Sequence, residues 1–245
     1  MLAVVPIWVF QVEIERIKMS IEGLGLFAFA TIALTSLWVG VYEETAKHWV
    51  VKITDNDFFD SIDDAIQFSI VAALGFAFLE NILYFYNIWH VYGAQGADFA
   101  KFFLLRSLLS VGLHVIASGI FGYYYGVAHF AQPILQEQLG LGKNFPILAK
   151  IHQLFRFKSE TLFHEEKIFQ GLLIAAGVHG LFDFLMGFAD HLNEVGSGSA
   201  TKLLIMINVP MIIGGYFWLT YLLDKKEDHK KYGHVLEGER TSSVL

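Results

Sequence analysis

The chain has 245 residues, 55% of them hydrophobic, 17% charged and 16% aromatic, with a mean hydropathy of +0.49. That balance excludes a soluble globular domain, in which charged residues run near a quarter of the chain. Zero cysteines exclude disulfides, thiolate metal ligands and a cysteine nucleophile, and the formal net charge of −7 comes without a basic patch of the size nucleic acid requires.

Residues 1–22 are expected to form a short apolar segment, Met1 to Gln11, followed by a polar linker. The segment lacks a basic leader region and a small-residue cleavage site, so it does not read as a signal peptide. Charge-free runs follow from Gly23 to Tyr42, from Ser107 to Gln136 and from Leu203 to Leu223. Each supplies the roughly 20 helical residues that cross a hydrocarbon core of about 30 Å. Two more runs are broken by one acid apiece, Glu80 between Asp64 and Asp98, and Asp183 between Lys167 and Asp190. The runs are continuous and rich in Leu, Phe, Ala and Gly, without the alternation of a membrane strand, so helices are the spanning element. The expected fold is all-α, a polytopic transmembrane helical bundle of five spans plus the short N-terminal segment. The spans fall near 23–50, 65–90, 102–130, 168–189 and 203–223, in a bundle over 23–223 with a polar cytoplasmic insert at about 132–167 and a polar tail at 224–245.

Lysine and arginine set the orientation. Lys143, Lys150, Arg156, Lys158 and Lys167 lie in the insert, and Lys225, Lys226, Lys230 and Lys231 in the tail, whereas the loops at 90–101 and 190–202 are nearly free of base. Insert and C-terminus are therefore expected on the cytoplasmic side. Arg16 and Lys18 fall on the opposite side and dissent from that map.

Six ionisable residues sit at or near membrane depth: Glu43, Glu44, Glu80, His114, His179 and Asp183. Such a group costs at least a few kcal/mol in lipid, which makes the set a candidate site. In E-E-x-x-K, Glu43 and Lys47 share a helix face at i, i+4 while Glu44 points about 100° away, so the expectation is one acid held by the lysine and the other facing a cavity. His48, four residues after Glu44, is an alternative partner for it. Glu80 stands alone in an apolar stretch beside Asn81, with Tyr84 one turn on, and isolation at depth implies a partner. His114 begins a stripe with Ser118, Gly122 and Gly126 at i+4 steps, small residues that let another helix approach closely and that point the imidazole inward. His179 and Asp183 share a face in H-G-L-F-D. Glu43 and Glu44 lie roughly 10 Å toward the cytoplasm from the other groups at 1.5 Å per residue, so the first helix must tilt or shift for all six to meet. His152, His164, Glu165 and Glu166 do not form H-E-x-x-H, because residue 168 is Ile, and are expected to be solvated; His90, His129 and His191 fall near helix ends.

Carboxylates and imidazoles around one wet pocket can activate water against an amide, through a divalent metal or through a glutamate base with a histidine at the oxyanion. The same residue types describe a proton relay or an ion path in a transporter or channel, and that alternative stays open on the inventory alone.

Order and setting add to the inventory. E-E-x-x-K at Glu43 to Lys47, F-D-S-I-D-D, then G-F-A-F-L-E-N-I-L-Y to Tyr84, R-S-L-L-S-V-G-L-H with glycines to Gly126, and H-G-L-F-D resemble the PrsW family of intramembrane proteases, itself similar to CAAX prenyl endopeptidases and Abi proteins. The resemblance runs from about residue 23 to 190. It implies a multipass protease of a prokaryotic cell (inner) membrane that trims a single-pass or otherwise membrane-anchored substrate such as an anti-sigma factor, with one divalent metal, zinc the expected ion. It further implies Glu43 and Glu44 as the catalytic acid pair, Glu80, His114 and His179 lining the pocket and serving as ligands of any metal, Asp183 behind His179, and Lys47 and Asn81 in support. Three departures bear on substrate recognition: His48 where an apolar residue is expected, shortened N-terminal spans, and the long insert.

Overall fold

The computed structural model describes residues 26–54, 58–90, 93, 96–142, 145–146, 150, 158–194 and 200–225. The expectations for residues 1–22, for Arg16 and Lys18, for His152 and for the tail beyond 225 lie outside them. Among the described residues the chain is all-helical, without strands. The helices are α1 (Leu26–Thr54), α2 (Ile62–His90), α3 (Gly96–His129), α4 (Ala131–Gly140), α5 (Ser159–Glu194) and α6 (Ala200–Lys225).

Four of these helices are long and apolar enough to cross a bilayer among the described residues, over Ile62–His90, Phe103–His129, Ser159–Phe188 and Met206–Lys225. The fifth expected span, 23–50, begins outside the described residues, and α1 is not among the four. Helix α1 has the length, 29 residues, and carries Glu43, Glu44, Lys47 and Lys52 in its C-terminal half. A correction concerns the insert. His164, Glu165, Glu166 and Lys167 are the first turns of α5 rather than loop. Phe163 is the reason: it is fully buried in the same core cluster as Ile134 and Leu135 of α4, so that turn is anchored from within. Glu165 and Glu166 remain exposed, as expected of solvated charges.

Helix α3 is central, packed against α2, α5 and α6 and touching α1, while α1 closes the ring through α5 and α2. Its inward residues Ile116, Ile120, Tyr123 and Val127 join Ile62 and Ile66 of α2 and Leu222 of α6 in the main core cluster. Outward faces carry Leu34, Trp38, Val71, Phe78, Leu108, Leu173, Tyr216 and Phe217, all exposed. Helices apolar on both inner and outer faces suit a bilayer, where lipid covers the outer side. Thr35 and Thr45 turn their hydroxyls onto carbonyls of their own helix, at 2.8 Å from Thr31 O and 2.6 Å from Val41 O, as polar side chains do where water is scarce.

The start of α2 is fixed by a reciprocal cap. Ser61 N donates to Asp64 Oδ2 at 2.9 Å and Asp64 N donates back to Ser61 Oγ at 3.3 Å, which satisfies two of the amides a helix start leaves unpaired. Ser61→Ala is expected to cost about 1 kcal/mol of stability, read as a lower unfolding midpoint in detergent; an unchanged midpoint would show the cap to be redundant.

Candidate active site

Two helix crossings bring the polar groups together, and glycine makes both possible. Where α1 meets α5, a Cβ on Gly40 would stand 2.7 Å from Ala176 O, and one on Gly180 2.8 Å from Leu37 Cα. The backbones are therefore in contact one turn before Glu43 and beside His179. Where α3 meets α2, a Cβ on Gly122 would stand 2.7 Å from Ile66 Cα, and one on Gly126 3.0 Å from Ile62 Cα. This is the close approach that the small-residue stripe predicts, and His114 does point inward, buried together with His179.

The side chains form one connected network. Lys47 Nζ donates to Glu44 Oε1 at 2.6 Å and to His114 Nδ1 at 2.7 Å, and lies 3.9 Å from Glu43 Oε2. Glu44 also accepts from Ser118 Oγ at 3.1 Å and from His179 Nδ1 at 2.8 Å. His179 Nε2 faces Glu43 Oε2 at 3.5 Å and Asp183 Oδ2 at 3.6 Å. His114 Nε2 meets Glu80 Oε2 at 2.9 Å, and the two imidazoles stand edge to face with centroids 4.9 Å apart. Glu80 Oε1 accepts from Arg106, whose Nε donates to Asn81 Oδ1 at 3.0 Å and whose guanidinium lies 4.1 Å from the centroid of the Tyr84 ring. All six expected residues, with Lys47 and Asn81, are thus drawn into contact, and the offset in depth is closed by the α1–α5 crossing.

Some pairings differ from expectation. Lys47 takes Glu44 rather than Glu43 as its near partner: both lie within helical reach, and the ammonium is held at once by Glu44 and by His114 of α3. Glu43 is left facing His179. His48 does not pair with Glu44; its ring lies edge-on to Phe121 and Tyr125 at 4.8 and 4.6 Å. The expected ligand set of Glu80, His114 and His179 also differs from the grouping found: among the described residues, Glu43, His114 and His179, all buried, offer ligand atoms within 4.8 Å of one another. Glu80 is instead engaged by Arg106 and His114.

Arg106 escapes a reading of the sequence alone. It marks the edge of a charge-free run and so reads as a flank, yet it is the cation that isolation of Glu80 demands. Ser118, read there only as a small residue, is a hydrogen-bond donor to Glu44. Access to the network is asymmetric: the side chains of Glu80, Asp183 and Arg106 retain 28%, 31% and 20% of their exposure, whereas Glu44 and His114 retain 1% each. The open end is the Glu80–Asp183 end.

Donor chemistry fits a divalent ion. Two imidazoles and a carboxylate, buried and mutually within reach, are nitrogen and oxygen donors of the kind that can hold a divalent ion.

Comparison with known proteins agrees with the geometry. Residues 1–214 match the family model described as "PrsW family intramembrane metalloprotease". Curated relatives include the "Protease PrsW" of Geobacillus kaustophilus, 35% identical over 125 residues, which is 50% of each chain. Those of Bacillus subtilis and Oceanobacillus iheyensis are 32% and 30% identical, over 52% and 64% of this chain and 51% and 64% of their own. The matched part thus spans about half the length of the first two relatives. No solved structure matches the chain.

Proposed function

This chain belongs to the PrsW family of intramembrane metalloproteases, and we propose that it hydrolyses a peptide bond of a single-pass or otherwise membrane-anchored protein, such as an anti-sigma factor. The observation that carries the reading is the meeting of Glu43 and Glu44 from α1, Glu80 from α2, His114 from α3 and His179 from α5 in one hydrogen-bonded cluster. Its place is a prokaryotic cell membrane, with the basic tail on the cytoplasmic side. The domain division is the bundle at 23–223 between the N-terminal segment and that tail. Family membership does not favour the transporter or channel reading.

Glu43, His114 and His179 would hold the ion, which when bound supplies a Lewis acid for the scissile carbonyl and an acidified water. The remaining work falls to side chains. Glu44 accepts the Nδ1 proton of His179 and so turns Nε2 toward Glu43, fixing the ring for its task. Ser118 and Lys47 hold Glu44 in that pose. Glu80, at the open end, is placed to take a proton from the attacking water and to return it to the leaving amine. Arg106 and Asn81 fix Glu80 on α2 and α3, and Asp183 flanks His179.

The test is cleavage of a reconstituted single-pass substrate by purified protein. Glu44→Gln and His114→Ala are each expected to abolish cleavage while circular dichroism and gel filtration stay those of the native chain. A chelator should stop the native protein, and added zinc should restore it. Full activity in both variants would reject the proposal.

A further inference from the structure

The lone pair that His114 would offer a metal is already covered. A lysine ammonium has only donors, so in the 2.7 Å contact with Lys47 Nζ the acceptor is His114 Nδ1. The other nitrogen, Nε2, then carries the proton and donates to Glu80. Lys47 is itself placed as a cation among ligands, 2.6 Å from Glu44 Oε1, 2.7 Å from His114 Nδ1 and 3.9 Å from Glu43 Oε2. A divalent ion reaching the Nδ1 lone pair of His114 must displace it.

Two unpartnered acceptors lie next to this seat. A cleft too tight for a water molecule until its side chains shift is lined by Glu44, Lys47, His48, Ser69 and Ser118 with apolar Val51 and Phe121. His48 Nδ1 and Ser69 Oγ are buried there and find no hydrogen-bond partner among the described residues. Buried polar atoms are rarely left so without a reason. Both can accept hydrogen bonds, and an ammonium brings three donors. Glu44 borders this pocket as well as the His114 seat, so Lys47 keeps its carboxylate while changing its second partner.

We propose that Lys47 is a two-position counter-cation: it sits on His114 as the structure has it and withdraws to His48 and Ser69 when a divalent ion takes its place. This rests on the metal-dependent reading above. Lys47 thereby keeps the buried acids compensated in both states, since an unpaired carboxylate at that depth is strongly destabilising. It also gives His48, the departure from the expected apolar residue, a role.

The experiment titrates Co²⁺ into the full chain in detergent, following its visible absorption, and measures unfolding midpoints with and without Zn²⁺. Lys47→Met is expected to bind Co²⁺ at least about tenfold tighter than the native chain, because the ion no longer has to displace a like charge at contact distance. Its metal-free form should unfold at a lower temperature, and Zn²⁺ should raise that midpoint more than it raises the native one. The double variant His48→Phe, Ser69→Ala should bind Co²⁺ more weakly when Lys47 is present and show no such effect when Lys47 is Met, as a coupled pair requires. Equal or weaker binding by Lys47→Met overturns the proposal, as does a His48/Ser69 effect that persists without the lysine. Should Lys47→Met not fold with or without zinc, the double variant beside native Lys47 decides, and unchanged affinity overturns it. Absence of Co²⁺ binding in every chain overturns the metal-dependent reading too; equal binding in all of them overturns this proposal alone.

Discussion

His179→Ala is expected to keep its helical content and detergent elution volume and to lose at least about a thousandfold in cleavage of a single-pass substrate, the scale on which groups acting directly in proton transfer or transition-state stabilisation register. Four contacts disappear together, one of them the 3.6 Å approach of Nε2 to Asp183 Oδ2. Nδ1 no longer donates to Glu44 Oε1 at 2.8 Å, Nε2 no longer faces Glu43 Oε2 at 3.5 Å, and the edge-to-face partner of His114 is gone. Glu44 retains Lys47 and Ser118, so its carboxylate stays compensated and the bundle is not forced apart. The packing loss is one side chain at a site already polar, whereas the α1–α5 crossing beside it is made by backbone. Activity should therefore fall far more than stability. Single-turnover cleavage alongside thermal unfolding separates the two, and a variant with a tenth or more of native activity would remove His179 from the chemistry.

Gly180→Val should show the opposite pattern, losing fold and activity together. Its Cβ would come 2.8 Å from Leu37 Cα and 3.1 Å from Ser36 O, and backbone does not rotate aside as a side chain does. Gly40 meets the same surface from the other side, where a Cβ on it would stand 2.8 Å from Gly180 N, so α1 has nowhere to slide. Overpacking of this kind costs about 1–3 kcal/mol and more where the neighbour cannot yield; here the upper end or beyond is expected. Because α1 carries Glu43, Glu44 and Lys47, separation by even about 1 Å breaks the network, and misplacement of that size alone costs about a hundredfold in rate. Gly177, three residues earlier on the same helix, has nothing within 4 Å of a built Cβ. Gly177→Ala is the control, expected to be neutral or slightly stabilising because alanine favours helix over glycine. If Gly180→Val unfolds no more readily than Gly177→Ala, the tight crossing is not what holds the site together.

The same contrast marks what is legible in the chain before it folds. Glu80 announces itself because an acid alone in an apolar run needs a partner, and that inference holds without knowing the partner. Arg106 does not announce itself, because a base at the edge of such a run has an ordinary reason to be there. The stripe from His114 to Gly126 is legible because one helix's period decides which residues share a face, and its close neighbour is found in α2. The mispairing of Lys47 has the opposite origin. Its choice between Glu43 and Glu44 depends on His114, a residue on another helix and 67 positions away.

Composition and the lengths of the apolar runs determined by themselves that this protein is helical and resides in a membrane, since only a helix satisfies its own backbone there. The cost of burying charge likewise singled out the residues that had to meet. Tertiary structure alone decided who meets whom: Glu44 with Lys47, Ser118 and His179, Glu80 with Arg106, and Glu43 beside the two imidazoles. The physical reason is that helical periodicity sets the face of a residue within its own helix, whereas the rotation and height of one helix against another are set where backbones touch, at Gly40, Gly180, Gly122 and Gly126.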